Sequence, residues 1–170
     1  MKVIVDVGHP AHVHLFRHPI NNWVKKGHEV VVTARKKDVN IELLKEFGID
    51  FVPIGESKSS LLWKGVNVLK LNKELCSIVR SFKPDIMIGV HDPYVAQVGR
   101  FTSTRTIIFT DTELVKFEWM VYPFADVICT PNSFLKNIGK LEESKKICNE
   151  ALKKFDDNEL LNEIEMLLEE

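Results

Sequence analysis

Six short apolar runs divide the first 130 residues, and most are apolar at every position instead of alternating with polar residues. Such runs are typical of parallel strands whose sheet is covered by helices on both faces. We therefore predict six strands of a parallel sheet. Pro53 cannot donate a hydrogen bond to a neighbouring strand, which favours an edge or strand-end position for its segment. The predicted strands are residues 3–7, 30–33, 51–54, 86–90, 107–109 and 127–129.

Helical periodicity fills the segments between these runs. Val13, Phe16, Ile20 and Trp23 recur every three or four residues, and Pro19 inside this pattern predicts a kink or a later helix start. Alternating strands and helices with short links predict an α/β fold with a doubly wound parallel sheet over residues 1–138. Residues 139–170 carry helical periodicity without a strand pattern, so we predict a separate helical tail there.

The formal net charge of −1 is unevenly distributed, because residues 139–170 carry −5 and the rest of the chain carries +4. Neither part has the concentrated basic face of a nucleic-acid-binding protein. No run approaches the roughly 18 apolar residues of a membrane span. Three scattered cysteines and an early acidic residue, Asp6, favour a cytoplasmic chain. Residues 60–66 are apolar and flanked by lysines, which fits either a peripheral membrane contact or packing into the core.

Candidate chemistry lies in the loops that follow the first, fourth and fifth predicted strands. In a doubly wound sheet, ligands bind beyond the carboxyl ends of the strands, where such loops converge. Imidazole and carboxylate groups there can exchange protons or bind hydroxyl and phosphate oxygens. The candidate substrate-binding residues are His9, His12, His14, His91, Asp92, Asp111 and Glu113.

Other interpretations of these loops are weaker. Gly8 stands alone, without the glycine-rich motifs of dinucleotide or P-loop sites, so no cofactor is predicted. The first helix could still bind an anion through N–H groups near Val13. His12 and His14 have ligand-like spacing, but solvated or phosphate-facing imidazoles explain them better than a metal. We interpret Asp6 as a carboxylate near the end of the sheet that accepts hydrogen bonds from neighbouring backbone N–H groups.

The motif VDVGHPAHVHLF at residues 5–16, followed by GHEVVVTAR at residues 27–35, resembles domain-of-unknown-function family 354. The segments at 83–85, 91–93 and 123–126 continue the resemblance, which covers roughly residues 2–138. It implies the Rossmann-like N-terminal half of a glycosyltransferase-B-type (GT-B) fold. More remotely, this half is similar to transferases that add N-acetylglucosamine to a lipid-linked precursor. Those transferases have a Gly-Gly-His turn, and only its histidine has a counterpart in this chain, which is His12.

Nucleotide-sugar 2-epimerases are also similar, but their Gly-Thr-Arg-Pro-Glu motif is missing here, so epimerase activity is not supported. Families of this kind hold the nucleotide-sugar with a second α/β domain. In its place, residues 139–170 resemble part of a tetratricopeptide repeat, which would pack on the body, pair with another chain or stay partly mobile. We therefore expect a truncated or fused chain.

These resemblances imply the acceptor-side domain of a glycosyltransferase-like protein, inactive in sugar transfer without a donor-binding domain. Its expected partners are a sugar or lipid-linked acceptor and a separate donor-domain protein. The alternative is a non-catalytic binding or assembly subunit that recruits a partner through its helical tail.

Overall fold

The structure, a computed structural model, describes residues 1–36, 39–56, 63–110 and 118–130, without the side chains of residues 56, 63–67 and 118. Six strands form one parallel sheet in the order β3-β2-β1-β4-β5-β6. The doubly wound parallel sheet predicted from the apolar runs is therefore confirmed, and Pro53 lies on the edge strand β3. The strands are β1 (Lys2–Val7), β2 (Glu29–Lys36), β3 (Phe51–Glu56), β4 (Ile86–Val90), β5 (Arg105–Phe109) and β6 (Val127–Cys129).

Five helices connect the strands in the described parts of the chain. The first begins directly at Pro10 and includes Pro19, so a later start is wrong. Proline suits a first helical position because it has no N–H to leave unbonded and its φ is already helical. The helices are α1 (Pro10–Lys25), α2 (Asn40–Glu46), α3 (Trp63–Phe82), α4 (Pro93–Thr102) and α5 (Glu118–Val121).

The helices cover the sheet on both faces, which explains why the strands are apolar throughout. On one face, Phe16 and Trp23 of α1 and Leu44 of α2 pack against alternate residues of the strands. On the other, α3, α4 and α5 form a second core, to which Leu75 and Val95 contribute. Every residue of β4 is buried. This double coverage holds the strand ends, and the loops that follow them, in a fixed arrangement.

The sheet reverses its winding between β1 and β4. From β1 the chain proceeds outward to β2 and β3, whereas β4, β5 and β6 proceed in the opposite direction. The loops after β1 and β4 therefore diverge to opposite faces and leave a crevice between them. Two of the predicted loops, those with His9 and His91, border this crevice.

Several predictions concern parts of the chain outside the described residues. These are the helical tail at 139–170, the candidate site residues Asp111 and Glu113, and the apolar segment up to residue 62. No helix among the described residues is both long and apolar enough to cross a membrane.

Candidate functional site at the carboxyl ends of β1, β2 and β4

A buried carboxylate, Asp6, lies near the end of the otherwise apolar strand β1. The parallel register pairs Asp6 with Thr33 of β2. The Thr33 hydroxyl donates to Asp6 Oδ1 at 2.6 Å, and Arg35 Nη2 donates to Asp6 Oδ2 at 3.1 Å. Asp6 is only 1% exposed. Our interpretation that Asp6 is held by backbone N–H groups is therefore corrected, because its hydrogen bonds here come from side chains of the neighbouring strand.

A second buried carboxylate, Asp92, faces the same guanidinium from the start of α4. Asp92 Oδ1 accepts hydrogen bonds from the backbone N–H groups of Tyr94 at 2.8 Å and Val95 at 3.1 Å, and so caps the helix. Its Oδ2 accepts from Arg35 Nη2. The Arg35 guanidinium also lies over the Tyr94 ring, 4.8 Å from its centroid. One arginine therefore joins β1, β2 and α4 across the crevice.

We call Asp6, Thr33, Arg35, Asp92 and Tyr94 the carboxylate–arginine cluster. Within it, the two acids have opposite electrostatic behaviour. Burial, reinforced by the negative charge of Asp92, raises the pKa of Asp6 well above its usual value. Burial also acts to raise the pKa of Asp92, but Arg35 and the backbone N–H groups of the helix outweigh it and lower that pKa. Asp92 is thus the ionised partner of Arg35, and Asp6 retains its proton to higher pH.

The same surroundings shift the pKa values of the two other titratable members, Arg35 and Tyr94. Burial alone would lower the pKa of Arg35, but the two carboxylates raise it instead, so the guanidinium stays charged. Burial raises the pKa of Tyr94, which keeps its hydroxyl protonated. The Arg35 side chain remains 27% exposed. The arginine thus presents an edge to the solvent side of the crevice while both carboxylates lie beneath it.

The loop after β1 is ordered by its own histidines. His9 is the N-cap of α1, and its Nδ1 accepts from the Ala11 N–H at 3.3 Å. The Gly8 N–H points to His12 Nδ1 at 3.3 Å. The His12 N–H donates to the His9 carbonyl oxygen at 3.0 Å, and the two rings lie 5.8 Å apart.

These contacts bear on the anion site that we predicted at the start of α1. Pro10 has no N–H, and the N–H groups of Gly8, Ala11 and His12 already have acceptors within the loop. A phosphate cradle at a helix N-terminus needs such groups to point at the ligand. The first turn of α1 therefore does not offer the donors that the anion interpretation requires.

Gly8 connects this loop to the carboxylate–arginine cluster. A Cβ at residue 8 would lie 3.1 Å from Arg35 Cζ and 3.2 Å from both terminal nitrogens. The guanidinium therefore lies directly against the loop backbone. His12, Gly8 and Arg35 form a continuous row along the carboxyl ends of β1 and β2, with the ring of His9 beside it.

The other predicted site residues are distributed around this row. His14 packs edge-on against Phe47, the residue that follows α2, with the ring centroids 5.6 Å apart. His91 precedes Asp92 in the crevice loop with a φ of 45°, and its N–H donates to the Phe109 carbonyl oxygen at 2.9 Å. Asp111 and Glu113 lie outside the described residues. A binding role for all seven predicted residues stays a prediction.

Sequence reasoning missed Arg35, Thr33 and Tyr94, and it assigned Asp6 no functional role. A signal was nevertheless present, since Asp6 interrupts one apolar run and Arg35 lies two residues beyond the apolar run at 30–33. Pairing the two runs in parallel register would have brought the acid and the base together. Within the described residues, no three His, Cys, Asp or Glu side chains are close enough to hold a metal ion. The absence of a metal site stays a prediction.

A family model matches residues 1–158, almost the whole chain. The chain belongs to the family described as Protein of unknown function (DUF354). This confirms the resemblance inferred from the first two motifs. The match also continues 20 residues past residue 138, where we predicted the end of the α/β domain. No curated protein matches the sequence.

Solved structures share the fold at low sequence identity. The MurG structure from Acinetobacter baumannii has a TM-score of 0.63 and 16% identity, with 76% of this chain matched to 40% of that one. The UDP-GlcNAc 2-epimerase from Neisseria meningitidis has a TM-score of 0.64 and 14% identity, with 85% of this chain matched to 44% of that one. The glycosyltransferase VinC has a TM-score of 0.54 and 15% identity, with 71% of this chain matched to 37% of that one.

These similarities show the predicted GT-B-like, Rossmann-like fold. They also show that the chain spans less than half the length of the structures that it matches.

Proposed function

We propose that this chain is the acceptor-side domain of a glycosyltransferase-like protein. The observation that carries the proposal is the extent of the structural match, in which 76% of this chain corresponds to 40% of MurG. VinC, solved with dTDP, and SpnG, solved with thymidine diphosphate, match over similar fractions of their lengths. The proposed acceptor site is the crevice between the loops after β1 and β4.

The chemistry of the crevice supports an acceptor role better than a donor role. A nucleotide-sugar donor carries a diphosphate, whose binding needs unbonded N–H groups or uncompensated cations. Gly8, Ala11 and His12 already use their N–H groups within the loop, and the Arg35 charge faces two carboxylates. A separate donor-binding domain would then hold the diphosphate and stabilise the charge that develops on it. Its absence would leave this chain inactive in sugar transfer.

The decisive experiment supplies the donor half in a second chain. Candidate donor-binding domains are co-expressed with this protein, and co-purification is followed by assays with uridine- and guanosine-diphosphate sugars. We expect turnover from the pair and none from this chain alone. An Arg35→Met variant is expected to lower turnover by the pair, with circular dichroism checking that the fold persists. Turnover by the pure chain alone would refute the proposal.

The alternative, a non-catalytic subunit that recruits a partner through its helical tail, predicts a different result. A chain shortened to end at residue 138 would lose its partner but keep any acceptor binding. Under our proposal, the same shortened chain still binds acceptor and still supports turnover with a donor domain. A cytoplasmic location, as proposed from the scattered thiols, is tested by fractionation of cells that express the protein.

A further inference from the structure

The protonation of the histidines in the first loop follows from their hydrogen bonds. In both contacts the donor is a backbone N–H, from Ala11 to His9 and from Gly8 to His12. A ring nitrogen that accepts a hydrogen bond carries no proton, so Nδ1 is the bare nitrogen in each ring. The proton of each neutral ring is therefore on Nε2.

The rest of the crevice is also close to electrical neutrality. The Arg35 guanidinium contacts both carboxylates of its cluster, and no further cation of the described residues contacts them. Since Asp6 holds its proton to higher pH, Arg35 and ionised Asp92 approximately cancel. The carboxylate–arginine cluster therefore supplies little of the uncompensated positive charge that would attract a phosphate group.

We propose that this row binds the uncharged hydroxyl oxygens of a saccharide, with His9 donating a hydrogen bond from Nε2–H, and does not bind a phosphate group. His9 is exposed at the start of α1, so a ligand can reach its ring. The nearby guanidinium edge and Tyr94 add donors and an aromatic surface of the kind that saccharides contact. The inference rests on the proposed function, because it specifies the chemical class of the acceptor at that site.

The first test is ¹⁵N NMR of the imidazole rings, which distinguishes the Nδ1–H and Nε2–H tautomers. We expect the Nε2–H form for His9 and His12 at neutral pH. Titration with methyl glucoside and methyl N-acetylglucosaminide is expected to shift the His9 Nε2 signal. Glucose 1-phosphate and inorganic phosphate are expected to bind at least tenfold more weakly, if at all. An Nδ1–H tautomer at His9, phosphate binding tighter than glycoside binding, or no glycoside response would each overturn the proposal.

Two variants of His9 separate its capping role from its ligand role. His9→Asn keeps an oxygen that can accept from the Ala11 N–H, because asparagine is a good N-cap, but has no group at the position of Nε2. We expect it to fold normally and to bind the glycoside about five- to tenfold more weakly, as the loss of one hydrogen bond predicts. His9→Gln carries an amide N–H near the position of Nε2 and is expected to retain more of the binding.

A matched control is available in His28, whose Nδ1 contacts the terminal amine of Met1 at 3.1 Å, at the amino-terminal end of β1. His28→Asn makes the same chemical change far from the crevice and should leave glycoside binding unaltered. Equal losses in H9N and H28N would overturn the proposal, since they would indicate a general structural effect.

Different experimental results would refute this inference and the proposed function. Phosphate preference in the titrations, combined with turnover by the two-chain pair, would refute the inference alone. Glycoside binding through His9 without turnover by any pair would refute the transferase function alone.

Discussion

The guanidinium of Arg35 lies against the backbone of Gly8, so closely that a methyl group at residue 8 would lie 3.1 Å from Arg35 Cζ. This contact connects the loop after β1 to the buried carboxylates beneath it. The arginine cannot move freely to make room, because its Nη2 also contacts both Asp6 and Asp92. The position of the first loop and the geometry of the carboxylate–arginine cluster therefore depend on each other.

A Gly8→Ala substitution tests this dependence. We expect a loss of about 1 kcal/mol in the free energy of unfolding, since the added methyl must displace a guanidinium that is hydrogen-bonded to both Asp6 and Asp92. The measurement is a urea unfolding curve, repeated in an Arg35→Lys background. Lysine lacks the planar guanidinium, so the same alanine should cost less there. Equal costs in both backgrounds would contradict the contact.

The strands of the sheet could be predicted from sequence, because burial on both faces constrains the residues of each strand by itself. A strand buried on both faces must be apolar along its length, and that requirement is visible in the run from Ile86 to Val90 without knowledge of its neighbours. The same logic placed Pro53 on an edge strand. The loops with His9 and His91 could also be predicted, since ligands of doubly wound sheets bind near the residues that follow the strands.

The carboxylate–arginine cluster was missed because its members lie far apart in sequence. Asp6 and Arg35 are joined by a hydrogen bond across 29 residues, and Arg35 and Asp92 across 57. Their contact depends on strand order and register, which individual apolar runs do not specify. Asp6 looked like an isolated acid, although its burial required a partner for the charge.

The backbone at His91 provides a second prediction. Its φ of 45° lies in the left-handed region, which asparagine tolerates and β-branched residues strongly disfavour. We expect His91→Val to lose about 1–3 kcal/mol of unfolding free energy through this backbone strain. His91→Asn removes the same ring and is expected to lose much less. Thermal or urea unfolding of the pair is the measurement, and comparable losses would mean that the ring, rather than the backbone, stabilises the loop.

Close packing of α4 on β5 gives a third prediction. A Cβ at Gly99 would lie 2.1 Å from Thr106 Cγ2 and 3.0 Å from the Thr104 carbonyl oxygen. We expect Gly99→Ala to destabilise the protein by about 1–3 kcal/mol, the usual cost of overpacking a core. Adding Thr106→Ser removes the clashing methyl but keeps the hydroxyl that bonds to Asp126. Partial recovery in the double variant is the expected result, and the absence of recovery would place the clash elsewhere.

The final prediction concerns the two buried acids, which can be compared through the same neutral substitution. Asp92→Asn keeps a capping side chain for α4 but removes the charge that pairs with Arg35. We expect this variant to lose about 2–3 kcal/mol of unfolding free energy near pH 7. The loss is smaller than for a fully unpaired buried charge, because Asp6 can still pair with Arg35. Asp6→Asn removes an acid whose ionisation is unfavourable in the folded state, and is expected to cost less at the same pH.

The pH dependence of the two variants differs in sign. Because the folded-state pKa of Asp92 is lowered, its stabilisation is present above the unfolded value of 3.8 and is lost as pH falls through the folded pKa. The folded-state pKa of Asp6 is raised, so its contribution to stability decreases as pH rises from 3.8 through that higher pKa. Urea unfolding at pH 5 and pH 8 should therefore show Asp6→Asn becoming less destabilising, relative to the unsubstituted protein, at the higher pH. Asp92→Asn should show a smaller improvement, because Asp6 stays buried after the negative charge of Asp92 is removed. If Asp92→Asn shows the larger improvement instead, then Asp6 is the ionised partner of Arg35 and the assignment of the two acids must be reversed.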